Sequence, residues 1–197
     1  MFPTPSLVDF TMTPADFDPK ALGGRNRRLL YEWRQLEQGL FDRSDIACHV
    51  HSTNAHGLPI SYLVDYSIHS LCGVTNIENL NQPGIINEPL YADHFRLLIE
   101  LPPNYPQIDA PPLFRFLSQP TFPLPWHPNI RFFGNFAGRV CLNATDTYTE
   151  LLWGVRRIAS YLRYECYHAI NEPPYPEDLQ VAQWVVRQGE PNGWIFF

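Results

Sequence analysis

Nine prolines fall between Pro102 and Pro128, in a chain of 197 residues that carries 20. Proline fixes φ and removes a backbone donor, so this stretch is neither a helix nor a central strand. It has to hold long ordered loops, and loops of that length in a compact domain are commonly functional. Most of the regular structure must therefore lie on either side of it.

Upstream, "GRNRRLLYEWRQLEQGL" (24–40) places Leu29, Trp33, Leu36 and Leu40 at helical spacing, with Gly39 near the expected stop. Its other side carries Arg25, Arg27, Arg28 and Arg34, which read as a solvated face or as a docking surface. Thr13-Pro14-Ala15-Asp16 predicts one short helical turn, with Thr13 as cap. Residues 46–52 alternate, with Ile46, Cys48 and Val50 on one face and Ala47, His49 and His51 on the other. Apolar segments at 60–74, 91–101 and 113–117 give three more strands, and the link at 75–90 is a surface loop. Short links between consecutive strands predict an antiparallel meander. Downstream, Leu151, Val155, Ile158, Leu162, Cys166 and Ala169 or Ile170 form a helical stripe, and a last helix is expected from Glu177 to about Gln188. Strands and helices are segregated, so the fold class is α+β. Residues 23–190 read as one domain, preceded by an extension at 1–22. The apolar tail at 191–197, "PNGWIFF", is either a partner site or folds back.

Composition narrows the function. Hydrophobic residues make up 45% and charged residues 17%, the balance of a chain with a real core. A net charge of −6 argues against a nucleic-acid partner, because non-specific affinity for nucleic acid comes from Lys and Arg on phosphate. No apolar run approaches the roughly 20 residues that span a bilayer, and the first residues lack the pattern of a secretory signal. Four cysteines are too sparse for a disulfide scaffold. The expectation is a soluble cytoplasmic protein with reduced thiols.

The four thiols sort by pattern. Cys48, Cys72 and Cys166 lie on apolar faces and read as small buried hydrophobes. Cys141 lies in "GNFAGRVCLN", a loop of glycine and asparagine, and is a candidate nucleophile. A metal site at Cys48, His49, His51 and His56 is disfavoured, since strand alternation turns Cys48 away from the first two histidines and no CxxC pair exists. A cysteine peptidase would need a histidine base with an orienting partner; His127 and His168 are present without a recognisable one.

Taken in order, "LPPNYPQIDAPPLFRFLS", "HPNI", "GRVCLN", a helix carrying Trp153 and "NEPPYPEDL" resemble a ubiquitin-conjugating enzyme over residues 24–188. The matching positions are Pro102 to Pro106, Pro111-Pro112, His127-Pro128-Asn129, Gly138 to Leu142, Trp153, and Asn171 to Pro176. The resemblance implies a ubiquitin-conjugating-like fold and a catalytic segment of Cys141, Asn129 and His127. Cys141 would accept a ubiquitin-like protein as a thioester. ATP is spent upstream, so the cysteine needs accessibility, not a dedicated base, and no cofactor or metal is called for. Asn129 would stabilise the oxyanion or the loop that holds the site, and the His127 ring would bond loop backbone. Glu172 or Asp146 would help the attacking lysine, and Tyr105-Pro106 is expected to be cis. Arg25, Arg27, Arg28 and Arg34 match the surface that docks the activating enzyme.

The chain departs from the family pattern in several places. Eleven residues, "IRFFGNFAGRV", separate Asn129 from Cys141, more than is usual. They add Phe132, Phe133 and Phe136, which would cover the thioester or grip the incoming tail. Asn143 replaces the common Asp, Gly154-Val155 follows Trp153, and one helix follows the proline-rich gate. These features resemble the divergent stand-alone enzymes of bacterial ubiquitin-like operons, which accompany an activating enzyme, a ubiquitin-like protein and a deconjugating peptidase, often in antiphage defence. The implied partners are these three and a target protein. The alternative is a catalytically inactive conjugating-like module that binds ubiquitin-like proteins or scaffolds partners.

Overall fold

The computed structural model describes residues 12–142 and 150–195. Among them, α1 (Gly24–Leu40) is followed by β1 (Ile46–Thr53), β2 (Pro59–Val74), β3 (Pro89–Glu100) and β4 (Leu113–Phe116), then by α2 (Leu151–Leu162) and α3 (Leu179–Trp184). The strands pair antiparallel in the order β1-β2-β3-β4. This is the α+β meander that the alternation predicts. The short turn at Pro14–Asp16 also forms, and Arg34 ties it to α1 by donating to the carbonyls of Pro14 and Phe17 at 3.1 Å each.

One face of the sheet meets both long helices. Tyr62, Val64, Tyr66 and Ile68 of β2, Phe95, Leu97 and Ile99 of β3, and Phe114 and Phe116 of β4 pack against Leu29, Trp33 and Leu36 of α1 and Val155, Ile158 and Leu162 of α2. Period-2 strands and a 3.6-period stripe thus close on one core. The helices approach each other at Gly39, where a Cβ would lie 2.3 Å from Leu152 Cδ2. Gly39 lies in the last turn of α1, one residue from its end as expected, and also permits this contact.

A second, smaller core sits at the far end of the β2–β3 ribbon. Register shifts between Ser67 and Ser70 and between Leu71 and Gly73 break the alternation. Bulges re-aim side chains, and here they turn Leu71 and Val74 onto Trp126, Val181, Trp184, Val185 and Ile195. Trp194 stacks on Trp184 with ring centroids 6.1 Å apart, so the described part of the C-terminal tail folds back onto the protein.

Two helix ends differ from expectation. The stripe predicted through Cys166 and Ile170 stops at Leu162. Tyr164 adopts φ +56°, Tyr164 N–H bonds Tyr161 O at 2.9 Å and Glu165 N–H bonds Ser160 O at 3.0 Å. This is the paired closure of a left-handed C-terminal cap, made by a tyrosine whose hydroxyl bonds the Trp126 carbonyl. Cys166, Ala169 and Ile170 therefore belong to the loop that follows. The last helix starts at Leu179 and continues past Trp184 as a π-helical turn over Val185–Gly189.

The helices and the proline-rich segment meet at Glu32, which is 0% exposed. One carboxylate oxygen accepts from Tyr105 Oη at 2.7 Å and pairs with Arg28 at 2.5 Å; the other accepts from Leu151 N–H, at the start of α2, at 2.9 Å. A buried carboxylate is tolerated because every strong donor around it points inward, and a helix N-terminus adds favourable field. Burial and the carboxylate hold the Tyr105 hydroxyl protonated far above the usual tyrosine range. The Tyr105-Pro106 bond is cis, as expected. Replacing Glu32 with Gln sets an amide NH₂ against donors, and the expected result is a loss of about 2–4 kcal/mol of unfolding free energy. Denaturant titration should show a lower midpoint with an unchanged slope.

Candidate active site

The four cysteines are free thiols. Burial pushes the Cys48 thiol up to about 12, and desolvation also raises Cys72 and Cys166. All three are half-buried rather than fully buried as expected; Cys48 and Cys72 pack against the main core, and Cys166 lies in the loop after α2. Cys141 is half-buried like the others, but its surroundings are built differently.

The segment before Cys141 is docked on the free edge of β4. Phe116 N–H donates to Gly138 O at 2.8 Å and Val140 N–H to Phe114 O at 3.1 Å, with Arg115 bridged to Arg139. Gly138 has φ +88°, and a Cβ there would lie 2.1 Å from Phe116 O, so only glycine fits. Val140 and Leu142 pack against the main core. The motif Gly-x-Val-Cys-Leu is thus a sheet-edge register: glycine for the close approach, two apolar anchors, and the thiol held between them.

Asn129 comes from the other side. Cys141 N–H donates to Asn129 O at 2.8 Å, and Ile130 is bridged to Val140. The Asn129 side chain is buried, and its Oδ1 accepts from His168 N–H at 3.0 Å. A backbone N–H can bond only the oxygen of the amide, which fixes the flip. Nδ2 then has no partner among the described residues. His127 is buried beneath, with Nδ1 accepting from Asn129 N–H at 3.1 Å and Nε2 donating to Cys166 O at 3.3 Å. Desolvation drives the His127 ring down to about 3, so it is neutral and keeps one acceptor and one donor nitrogen. It orients the loop through both nitrogens.

The eleven residues between Asn129 and Cys141 form a hairpin closed at its base. Arg131 N–H bonds Arg139 O at 2.8 Å, and Gly138 N–H bonds Arg131 O at 2.7 Å. Two acidic residues before α3 clamp it. Glu177 Oε1 accepts from Arg131 at 3.2 Å and from Arg139 at 2.7 Å. Buried Asp178 caps α3 with Oδ1 and accepts from the N–H groups of Phe132 and Phe133 with Oδ2, at 2.9 and 3.2 Å. Phe132 and Phe133 lie edge-on to Trp126, with centroids 4.7 and 5.8 Å away. They are partly buried and pack against the second core. Phe136, 65% exposed beside the Arg139 guanidinium, is the one phenylalanine of the hairpin that faces solvent. Asp178 and Glu177 escaped the sequence reading; the only sequence signal is the acid-rich cap before an apolar helix.

The other predicted residues are more scattered. Glu172 is exposed, and its carbonyl accepts from His168 Nε2 at 3.1 Å. Asp146 lies outside the described residues. On α1, Arg25 donates to Pro102 O, Arg27 to Leu22 O, and Arg28 to Tyr105 and Glu32. Among the described residues, Arg25, Arg27 and Arg34 meet neutral carbonyls and have no carboxylate partner. Among these residues no three His, Cys, Asp or Glu side chains converge to hold a metal, and no helix is long and apolar enough to cross a membrane.

Below its ordinary value near 6.5, the unfolded chain takes up a proton at His127 that the folded chain refuses. Stability should therefore fall as pH drops from about 6.5 towards 3, by about 1.4 kcal/mol per unit from this group alone. A His127→Gln variant is less stable at pH 7.5, and its deficit shrinks as the pH is lowered. Urea titrations of both proteins from pH 7.5 to 4.5 measure the convergence.

No family model and no curated protein matches the chain in sequence. It is similar to several solved structures. A Plasmodium vivax ubiquitin conjugating enzyme E2 is 19% identical with a TM-score of 0.42, over 68% of this chain and 98% of that one. The Plasmodium falciparum ubiquitin conjugating enzyme E2 is 19% identical with a TM-score of 0.44, over 79% and 91%. A Toxoplasma gondii ubiquitin conjugating enzyme E2 domain is 21% identical with a TM-score of 0.45, over 83% and 88%.

Proposed function

We propose that the protein accepts an activated ubiquitin-like protein as a thioester on Cys141 and passes it to a target nucleophile. The observation that carries this reading is the backbone pairing of Cys141 with Asn129. It sets a half-buried cysteine beside an asparagine whose amide oxygen is occupied and whose Nδ2 has no partner among the described residues.

In the first step the Cys141 thiolate attacks the carbonyl carbon of the incoming thioester, the upstream C–S bond breaks and the upstream sulfur leaves as a thiolate. In the second an amine attacks the Cys141 thioester, the C–S bond breaks and the amine loses its proton. Negative charge develops on the carbonyl oxygen each time, where an amide donor counts most. The leaving group is a thiolate in both steps, so His127 has no proton to move, in keeping with its neutral, doubly bonded ring. Glu172 and Asp146 are the proposed acceptors for the amine proton.

The partners follow from that chemistry: an activating enzyme, the ubiquitin-like protein and a target. The carboxylate-free charges of Arg25, Arg27 and Arg34 support α1 as the face for the activating enzyme, with Arg28 at its inner edge. The long hairpin and the other departures from the family pattern support a stand-alone bacterial enzyme of an antiphage operon, acting beside a deconjugating peptidase.

The test is a charging assay with ATP and the activating enzyme and ubiquitin-like protein encoded beside it, resolved on a non-reducing gel. Wild type is expected to give a thiol-sensitive shifted band that Cys141→Ser abolishes or makes thiol-resistant. Asn129→Ala is expected to slow transfer by about 10²–10³-fold. No wild-type band, with the activating enzyme itself charged, would leave the inactive binding module as the reading.

A further inference from the structure

Cys141 is held at both of its backbone polar groups. Its N–H bonds Asn129 O, and its carbonyl accepts from the Tyr161 hydroxyl at 3.3 Å. The second bond is long, as bonds at a site without its substrate often are. It joins the cysteine to α2, a rigid helix whose neighbouring residues Val155, Ile158, Ala159 and Leu162 are all buried in the core.

The tyrosine ring is itself held by two neighbours. The His127 ring stacks on it at 4.8 Å with an interplanar angle of 22°, and the Arg157 guanidinium lies 5.4 Å from its centroid on α2. Burial keeps the phenol protonated, so it is a donor throughout the working pH range. The same imidazole that orients Asn129 thus also carries the ring that holds Cys141. The two halves of the site share one stack: thiol carbonyl, phenol, imidazole and asparagine.

We infer that Tyr161 is a positioning residue for the transfer: its hydroxyl fixes the Cys141 carbonyl and thereby the placement of the thiol against the Asn129 amide. The role rests on the proposed thioester chemistry. It makes no contact with substrate, and it acts through geometry, where a displacement of about 1 Å lowers rates up to 10²-fold. Losing one such bond at the edge of the site corresponds to a loss of about three- to tenfold.

The variant is Tyr161→Phe, which keeps the ring and its stack. The control is Tyr66→Phe, because Tyr66 Oη donates to the Val155 carbonyl of the same helix at 3.1 Å, away from the thiol. The probe is the ubiquitin thioester of 2-mercaptoethanesulfonate, from which Cys141 takes the acyl group and 2-mercaptoethanesulfonate leaves. Tyr161→Phe should lower the limiting charging rate by about three- to tenfold with the half-saturating thioester concentration unchanged, while Tyr66→Phe matches wild type. Hydrogen exchange at the Cys141 amide should quicken in Tyr161→Phe alone. Equal rates in wild type and Tyr161→Phe, or equal slowing in both variants, overturn the inference and leave the thioester reading standing. A wild type that takes no acyl group from this donor or from the activating-enzyme cascade overturns the thioester reading instead. The exchange rate at Cys141 then decides the anchor alone: faster in Tyr161→Phe upholds it, unchanged removes it.

Discussion

A single buried carboxylate, Glu32, sets where three pieces of this chain can be. It receives a hydroxyl from the proline-rich segment, a guanidinium from its own helix and the first backbone N–H of α2. Satisfying a buried charge demands all three donors at once, because an unpaired one costs several kcal/mol. The position of α2 is thereby tied to α1 and to the loop after β3. Since α2 carries Tyr161, and β4 follows the proline-rich loop, the frame around Cys141 inherits its geometry from this junction. No residue of the junction touches the thiol.

The site is assembled by extension of regular structure. Residues 138–140 continue the sheet past β4, and residues 129–131 pair with 139–141. Backbone hydrogen bonds, which leave little freedom in register, therefore place the sulfur. Side chains then refine it: His127 below, Asp178 across the hairpin, Tyr161 from the helix. The bulges of the β2–β3 ribbon matter for the same reason, since they turn Leu71 and Val74 towards Trp126 and seat the loop that carries His127 and Asn129.

Much of the fold was legible because periodicity survives in it. The stripe of Leu29, Trp33, Leu36 and Leu40 marks α1, and the alternation at 46–52 marks β1 with Cys48 inward. What escaped was polar burial and local exceptions. Glu32 sits three and four residues from Leu29 and Leu36, on the buried edge of the stripe, yet beside Arg28 it reads as an exposed helical pair. The end of α2 rests on a tyrosine in a left-handed conformation, which propensity does not announce. Phe132 and Phe133 follow an arginine in an apparent loop, and only Trp126 and Asp178, 6 and 46 residues away from Phe132, explain why they turn inward. Cys141, Asn129 and His127 were found as an ordered motif; that the Asn129 amide turns its oxygen to His168 N–H is something no motif names.

The hairpin between Asn129 and Cys141 is closed at its base by its own ladder, by Glu177 and by Asp178. Its tip, from Gly134 to Ala137, therefore bears no tension from the site. Closing a somewhat longer loop adds little entropic cost, growing only with the logarithm of length. The distance between asparagine and cysteine along the chain is consequently uncoupled from their distance in space. Substitutions can lengthen, shorten or rewrite the tip while the pairing of Asn129 with Cys141 stays put, and the same tip is a natural port for grafting a recognition peptide beside a half-buried thiol.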